Sequence, residues 1–171
     1  MGHLKRMYNA KAILSTLLYK GTRDGWRKYD FHSRCDSKDL TIVLCKSDRG
    51  KNFGGFTPLP WLSESATHKD PNMQSFLFSL EQLAIYPLTD PRKHAIECYS
   101  YQGPCFGNND LSIGNSFADK YLMTKKLDSQ CKTGEHYNIP VDPQGNSFLT
   151  GEKLTFSIVE LEVFQLKIVP M

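Results

Sequence analysis

Residues 40–57 read LTIVLCKSDRGKNFGGFT, and this stretch decides the fold. Residues 40–44 form a compact apolar run with β-branched side chains, residues 47–50 are a turn sequence, and residues 52–57 are a second candidate strand. Pro58 ends the second strand, because proline cannot donate to a sheet ladder. The stretch therefore predicts a β-hairpin.

Further strand-like runs follow at short spacings, with Gly, Pro, Asn and Asp between them. This order suits a two-layer antiparallel β-sandwich better than alternating β-α units. Residues 115–144 lack sustained periodicity, so we expect a long surface excursion there. The additional strand candidates are residues 75–80, 84–86, 95–101, 111–113 and 148–169.

The N-terminal residues have apolar side chains near helical spacing, among them Leu4, Met7 and Leu14. This pattern predicts an amphipathic helix over residues 1–16, followed by a domain over residues 17–171. Asp24 offers an N-cap for a second short helix that reaches Cys35. The predicted class is α+β, an antiparallel two-layer β-sandwich flanked by short helices.

Residues 103–110 read GPCFGNND, a concentration of turn residues that ends in a carboxylate. A loop that binds phosphate would open a helix, whereas Asp110 leads into the strand-like residues 111–113. We therefore expect a turn between two antiparallel strands, with Asp110 bonded to local amides. Two adjacent glycines, Gly54 and Gly55, predict a bend in the strand or the close approach of another backbone segment.

Bulk composition excludes several classes of function. The net charge is +3 and the basic residues are scattered, which does not favour nucleic-acid binding. Five cysteines without paired spacing predict reduced thiols, no metal and no cofactor. No apolar run approaches the length of a membrane span, and no leader pattern is present, so we expect a cytoplasmic protein without direct membrane insertion.

The last strand candidate carries two glutamates whose exposure depends on its geometry. Glu160 and Glu162 share the phase of the apolar residues Phe156 and Ile158, which would bury both carboxylates. A β-bulge near Val159, with a second irregularity near residues 163–164, would turn them to solvent. Otherwise each carboxylate needs a buried partner, because an unpaired buried charge is costly.

No pattern predicts catalysis. The nucleophile elbow, the zinc-protease motif, the Walker motif and the dinucleotide fingerprint are absent. His32, Cys35 and Cys45 could be combined into a metal site, and Asp110 with His94 or His136 and a cysteine into a triad, but both combinations lack a supporting motif. Glu160 and Glu162 would serve acid–base chemistry only if they lined a cleft.

In order and spacing, these segments resemble the TLDc domain family, the module that ends oxidation-resistance proteins. The resemblance covers residues 17–166, and no single motif is diagnostic. Members often carry His before the aspartate of the Gly-rich run, where this chain has Asn109, which argues against redox or acid–base chemistry there. The matching segments are residues 18–26, 35–36, 41–44, 52–56 with Trp61, 75–80, 103–110, 148–151 and 160–164.

The resemblance implies a β-sandwich flanked by helices and a function in protein binding. Several family members associate with the vacuolar-type proton pump (V-ATPase) and alter its assembly or activity, and the family is linked to oxidative-stress resistance. The alternatives are an adaptor or structural component of a larger protein assembly and, third, a hydrolase or thiol antioxidant. The structural or partner-binding candidates are Gly54, Gly55, Trp61, Gly103, Gly107, Asp110, Gly151, Glu160 and Glu162.

Overall fold

A computed structural model describes residues 2–114 and 127–171. The three helices of this part are short: α1 (Gly2–Met7), α2 (Gly21–Asp24) and α3 (Lys28–Cys35). The strands are β1 (Ala10–Lys20), β2 (Thr41–Ser47), β3 (Asn52–Thr57), β4 (Ala66–Lys69), β5 (Phe76–Ser79), β6 (Ala84–Pro87), β7 (His94–Cys98), β8 (Cys105–Phe106), β9 (Leu111–Ile113), β10 (Leu127–Gln130) and β11 (Thr155–Pro170).

The strands form one antiparallel ladder in the order β4-β7-β8-β9-β10-β11-β2-β3-β5-β6, and β1 pairs with β11. The long strand β11 makes the two layers possible. Its first four residues pair with β10, and residues further along pair with β1. One layer therefore contains β1, β11, β2, β3, β5 and β6, and the other contains β4 and β7–β10. The predicted hairpin of β2 and β3 and the predicted antiparallel sandwich are confirmed.

The main core lies between these layers, and aromatic side chains dominate it. Phe106 of β8 reaches across to the β3 layer and packs edge-on against Trp61, with ring centroids 5.5 Å apart. Phe31 brings α3 against the same tryptophan at 6.2 Å. Tyr137 donates a hydrogen bond to the Ala95 carbonyl at 2.8 Å, which ties the loop after β10 to β7.

The predicted helix over residues 1–16 is wrong beyond Met7, because residues from Ala10 onward form β1. Asn9 has a φ of 46°, and its N–H donates to the Arg6 carbonyl, so a left-handed asparagine ends α1. The next residues pair with β11 from Pro170 to Glu162. Pairing with a strand about 150 residues away outweighs the local helical spacing.

The bulge predicted near Val159 is confirmed as a register shift between Ile158 and Glu160 where β11 pairs with β2. The second irregularity lies at Val163 and Phe164 as predicted, as a register shift where these residues pair with Tyr19 and Leu17, and the extra residue is in β1. After the bulge, Leu161 takes the inner position, so the two glutamates face outward from the sandwich.

The residues after β9 contradict the predicted excursion in part. Residues 115–126 lie outside the described residues. Residues 127–130 form β10, which joins β9 to β11 within the sheet, so the prediction of a surface excursion is wrong there. The short strand β8 also lies inside the predicted turn of residues 103–110.

Candidate protein-binding surface

The outer face of the larger layer carries an apolar groove with a volume of about 410 Å³, which we call the outer groove. Its floor follows from strand register: Leu44 pairs with Gly54, Gly54 pairs with Phe78, and Phe78 pairs with Ile85, which places the three side chains on one face. The lining residues are His3, Leu4, Ile42, Leu44, Phe76, Phe78, Ser79, Leu80, Leu83, Ala84 and Ile85.

Helix α1 forms one wall of the outer groove. Leu4 is buried in a small cluster with Phe56, Phe76 and Leu166, separate from the main core. The His3 ring packs edge-on against Phe76, with centroids 5.0 Å apart. The helix covers only part of the apolar face, and the remainder is the groove.

The turn between β5 and β6 forms the opposite wall and presents an unusual leucine. Leu83 is 90% exposed and has a φ of 48°, in the left-handed region that bulky residues rarely occupy. Leu80, in the same turn, is 51% exposed. An exposed leucine in this conformation has no packing role within the described chain that would explain it. Sequence reasoning missed this feature, although two leucines in a hairpin turn are a visible signal.

A charged cleft of about 460 Å³ continues from the outer groove, and both are lined by Leu44 and Leu80. The structure brings Glu160 and Glu162 together here with Lys20. The Lys20 Nζ atom lies 2.5 Å from Glu162 Oε1 and 3.5 Å from Glu160 Oε2. The hydrogen bond to Glu162 raises the pKa of the Lys20 amine.

Glu160 has further partners in α2. Its carboxylate accepts bonds from the Thr22 hydroxyl at 2.5 Å and from the Thr22 N–H at 3.2 Å. The side chains of Glu160 and Glu162 are 20% and 24% exposed, so they are half-buried at the cleft wall. Glu162 therefore fastens β1 to β11, and Glu160 fastens both β1 and α2 to it.

Asp110 lies elsewhere, buried at the end of the glycine-rich loop. Its carboxylate accepts amide bonds from His136 and Tyr137, both at 2.9 Å, and from Asn108 at 3.2 Å. Only Asn108 is a local donor, so the expectation of local amides is wrong for the other two. Burial raises the pKa of the Asp110 carboxyl, and the bonds from Tyr137 and His136 oppose that shift.

Gly103 and Gly107 shape this loop. The Gly103 N–H donates to the Ile113 carbonyl at 3.1 Å. Gly107 has a φ of 61°, and a Cβ atom there would lie 2.3 Å from Asp110 Oδ1. The glycine is needed for both its conformation and its space.

Two histidines lie near the buried carboxylate, and one of them contacts it. The His136 Nδ1 atom lies 3.5 Å from Asp110 Oδ1, and the rings of His94 and His136 are 4.3 Å apart between centroids. Burial lowers the pKa of His136. The neighbouring thiol of Cys105 faces Glu97 Oε2 at 3.6 Å, and burial raises its pKa, so it is poorly suited to act as a nucleophile.

Three further candidate residues are Trp61, Gly54 and Gly151. Trp61 is buried and donates its indole N–H to Thr41 Oγ1 at 2.9 Å. A Cβ atom on Gly54 would lie 1.8 Å from the Val43 carbonyl oxygen. Gly151 lies in the turn before β11 with a φ of 77°.

No cluster suited to a metal ion occurs in residues 2–114 and 127–171. His32 hydrogen-bonds Asp36 Oδ1 at 2.8 Å and the Gln102 carbonyl at 3.1 Å, so its nitrogens already have protein partners. All five cysteines are buried and free. Within the same residues, no helix has the length and apolar character needed to cross a membrane.

Comparison with known proteins identifies one family. A search of curated proteins finds no match. The family model described as the TLDc domain matches residues 3–167, which is nearly the whole chain and includes α1 and β1. The chain belongs to the TLDc domain family.

Proposed function

We propose that this chain is a non-enzymatic protein-binding module that regulates the vacuolar-type proton pump, and that it contacts the pump through the outer groove. The observation that carries the proposal is the groove with the exposed Leu83 at its wall. Membership of the TLDc family supports the choice of partner. We propose that the chain acts in the cytoplasm, at the surface of this complex.

The chemistry of the surface favours an amphipathic partner segment. An apolar floor gains free energy when apolar area leaves water, at about 25 cal/mol per Å². The charged cleft at one end of the groove supplies polar partners beside this floor, with Lys46 exposed among the lining residues. A helix with one apolar face, or a hydrophobic loop with a polar flank, matches this arrangement.

The surroundings of the carboxylates and thiols support a binding function over a catalytic one. Glu160 and Glu162 are held by Lys20 and Thr22, which fits a structural role. The cysteines are buried, and burial raises their pKa values, whereas reactive thiols are exposed and have lowered pKa values. We therefore propose that any link to oxidative stress acts through the partner and not through a thiol of this chain.

Affinity purification from the native cells tests this proposal, with wild-type protein compared with Leu83→Asn. Asparagine tolerates the left-handed conformation of residue 83 and removes the apolar side chain. The variant should keep or improve its melting temperature, while recovery of pump subunits falls about tenfold or more, as at an interface hot spot.

Tyr29→Asn is the matched control. Tyr29 is 74% exposed on α3, outside the outer groove, so its replacement removes a similar exposed side chain and should leave recovery unchanged. If Leu83→Asn recovers as many pump subunits as wild type does, the outer groove is not the contact. Recovery of a different stable assembly without pump subunits would contradict the pump as the partner and favour the adaptor function.

A further inference from the structure

The long strand β1 has one open edge in the described part of the chain. It pairs with β11, and no other described strand pairs with it. The Leu166 N–H donates to the Leu40 carbonyl, on the β2 side of β11. Because backbone groups alternate along a strand, Gln165 and Lys167 face β1 and bond their partners Thr16 and Leu14.

The same alternation fixes which groups of β1 point outward. Ile13, Ser15 and Leu17 direct their N–H and C=O groups away from β11. Ser15 is exposed, and the run from Ala12 to Leu17 pairs with β11 without a register shift. Six backbone hydrogen-bonding groups are therefore presented in a regular row.

This edge lacks the features that normally prevent edge pairing. Residues 12–17 contain no proline and no charge, and the register shifts lie at the two ends of this run. By contrast, the outer strands β4 and β6 are four residues long and end at Lys69 and Pro87. An open, uncharged edge of this length is a template for another strand.

We propose that β1 pairs antiparallel with β1 of a second copy of this chain, about a two-fold axis at Ser15. In this register Ile13 lies opposite Leu17 of the second copy, Ser15 opposite Ser15, and Leu17 opposite Ile13. All three outward-facing residues then form hydrogen-bonded pairs, which gives six backbone bonds. The proposal does not depend on the proposed function.

Sequence complementarity supports a second copy as the occupant. Two-fold registers centred on Leu14 or Thr16 would bring an outward-facing residue opposite Lys11 or Tyr19, beyond the regular run. The register centred on Ser15 keeps the lysines apart, since Lys11 lies opposite Tyr19 of the second copy. Like charges therefore do not face each other, and an isologous interface closes without exposing a new edge.

Charge substitution at residue 15 tests the register in the whole chain. Ser15→Lys and Ser15→Glu each place like charges directly opposite each other, so each variant should self-associate about fivefold or more weakly than wild type. An equimolar mixture of the two variants should restore association, because lysine then faces glutamate. Sedimentation velocity from low to high micromolar concentration measures all three samples.

Thr16→Lys and Thr16→Glu are the matched controls, because residue 16 is also exposed but lies opposite Leu14 of the second copy. They should show no rescue on mixing. Hydrogen exchange adds a second measurement: the Ile13, Ser15 and Leu17 amides should slow with concentration, while the Leu14 and Thr16 amides are protected throughout. A chain that stays monomeric, or a dimer insensitive to charge at residue 15, would overturn the proposal.

Discussion

The substitution Asp110→Asn tests whether the buried carboxylate holds the loop after β10 against the end of β8. Asp110 follows β8, and two of its three amide donors, His136 and Tyr137, lie 26 and 27 positions further along the chain. Asparagine has nearly the same shape but only one acceptor oxygen. That oxygen can keep the His136 and Tyr137 bonds, and the amide group then faces the Asn108 donor.

The expected cost follows from these bonds. One bond to a charged acceptor is lost, worth about 2 kcal/mol, and two bonds become neutral and weaken by about 0.5 kcal/mol each. Removal of the buried charge returns about 2 kcal/mol, because burial outweighs the bonds to the ionised form and raises the pKa of Asp110. We expect a net loss of about 1 kcal/mol in the free energy of unfolding, which lowers the melting temperature by about 2–4 °C at this chain length.

Urea unfolding followed by tryptophan fluorescence measures this loss, because Trp26 and Trp61 are both buried. Asp142→Asn is the control. The Asp142 side chain also accepts backbone amides, from Gln144 at 2.9 Å and Asn146 at 2.8 Å, but in an exposed turn. Its replacement should leave the free energy of unfolding essentially unchanged. If Asp110→Asn is equally mild, the carboxylate does not anchor the loop.

The stability differences between wild type and the two variants, Asp110→Asn and Asp142→Asn, should depend on pH in opposite directions. The pKa of Asp110 is raised in the folded state by burial, so its contribution is greatest below its ordinary value and falls as pH rises through the folded value. The advantage of wild type over Asp110→Asn should therefore widen on acidification. The pKa of Asp142 is lowered by its bond with Asn146, so any advantage there should vanish as pH falls through the folded value.

Two further measurements test the interior of the sandwich. Gly55→Ala should lose about 1–3 kcal/mol of stability on urea unfolding, since its Cβ atom would lie 2.5 Å from Phe106. Gly2→Ala is the control and should be neutral, because the nearest atom lies 3.6 Å from its Cβ atom. A neutral Gly55→Ala would contradict the close packing. Native protein at pH 8 should resist Ellman's reagent, because burial raises the pKa of Cys98 to about 11 and of Cys131 to about 12. Rapid labelling before denaturation would refute the buried, inert thiols.

Local pattern was sufficient for the central hairpin and insufficient for the strand beside it. In β2, β-branched residues and a turn lie within a short stretch, so the sequence predicts the element directly. The alternating burial of β2 is visible only in the structure. In β1, the residues 12–18 are compatible with helical spacing, and their partner β11 lies at the far end of the chain. A single sequence carries no signal for that pairing.

The outer groove could not be predicted from the sequence, for a related reason. Ile42 and Phe78 appear as ordinary core residues in the sequence, because an apolar residue on a strand does not reveal which face it occupies. The bulge at Val159 was predictable from the phase of β11, and its consequence was to place Glu160 outside the main core. The link from His136 to Asp110 spans 26 residues and leaves no local motif.

The outer groove follows from a mismatch between α1 and the sheet that it covers. A helix of six residues is about 9 Å long, whereas the five strands from β11 to β6 span about 19 Å between the outermost axes. Leu4 closes one end of the apolar face, and Phe78 and Ile85 remain in the groove. The main core between the layers is complete without them. Phe78 is buried in the small cluster with Leu4, whereas Ile85 is 38% exposed and Leu83 is 90% exposed, so these two side chains offer apolar area to a partner. Leu83 contributes little to folding, which is why Leu83→Asn should separate binding from stability.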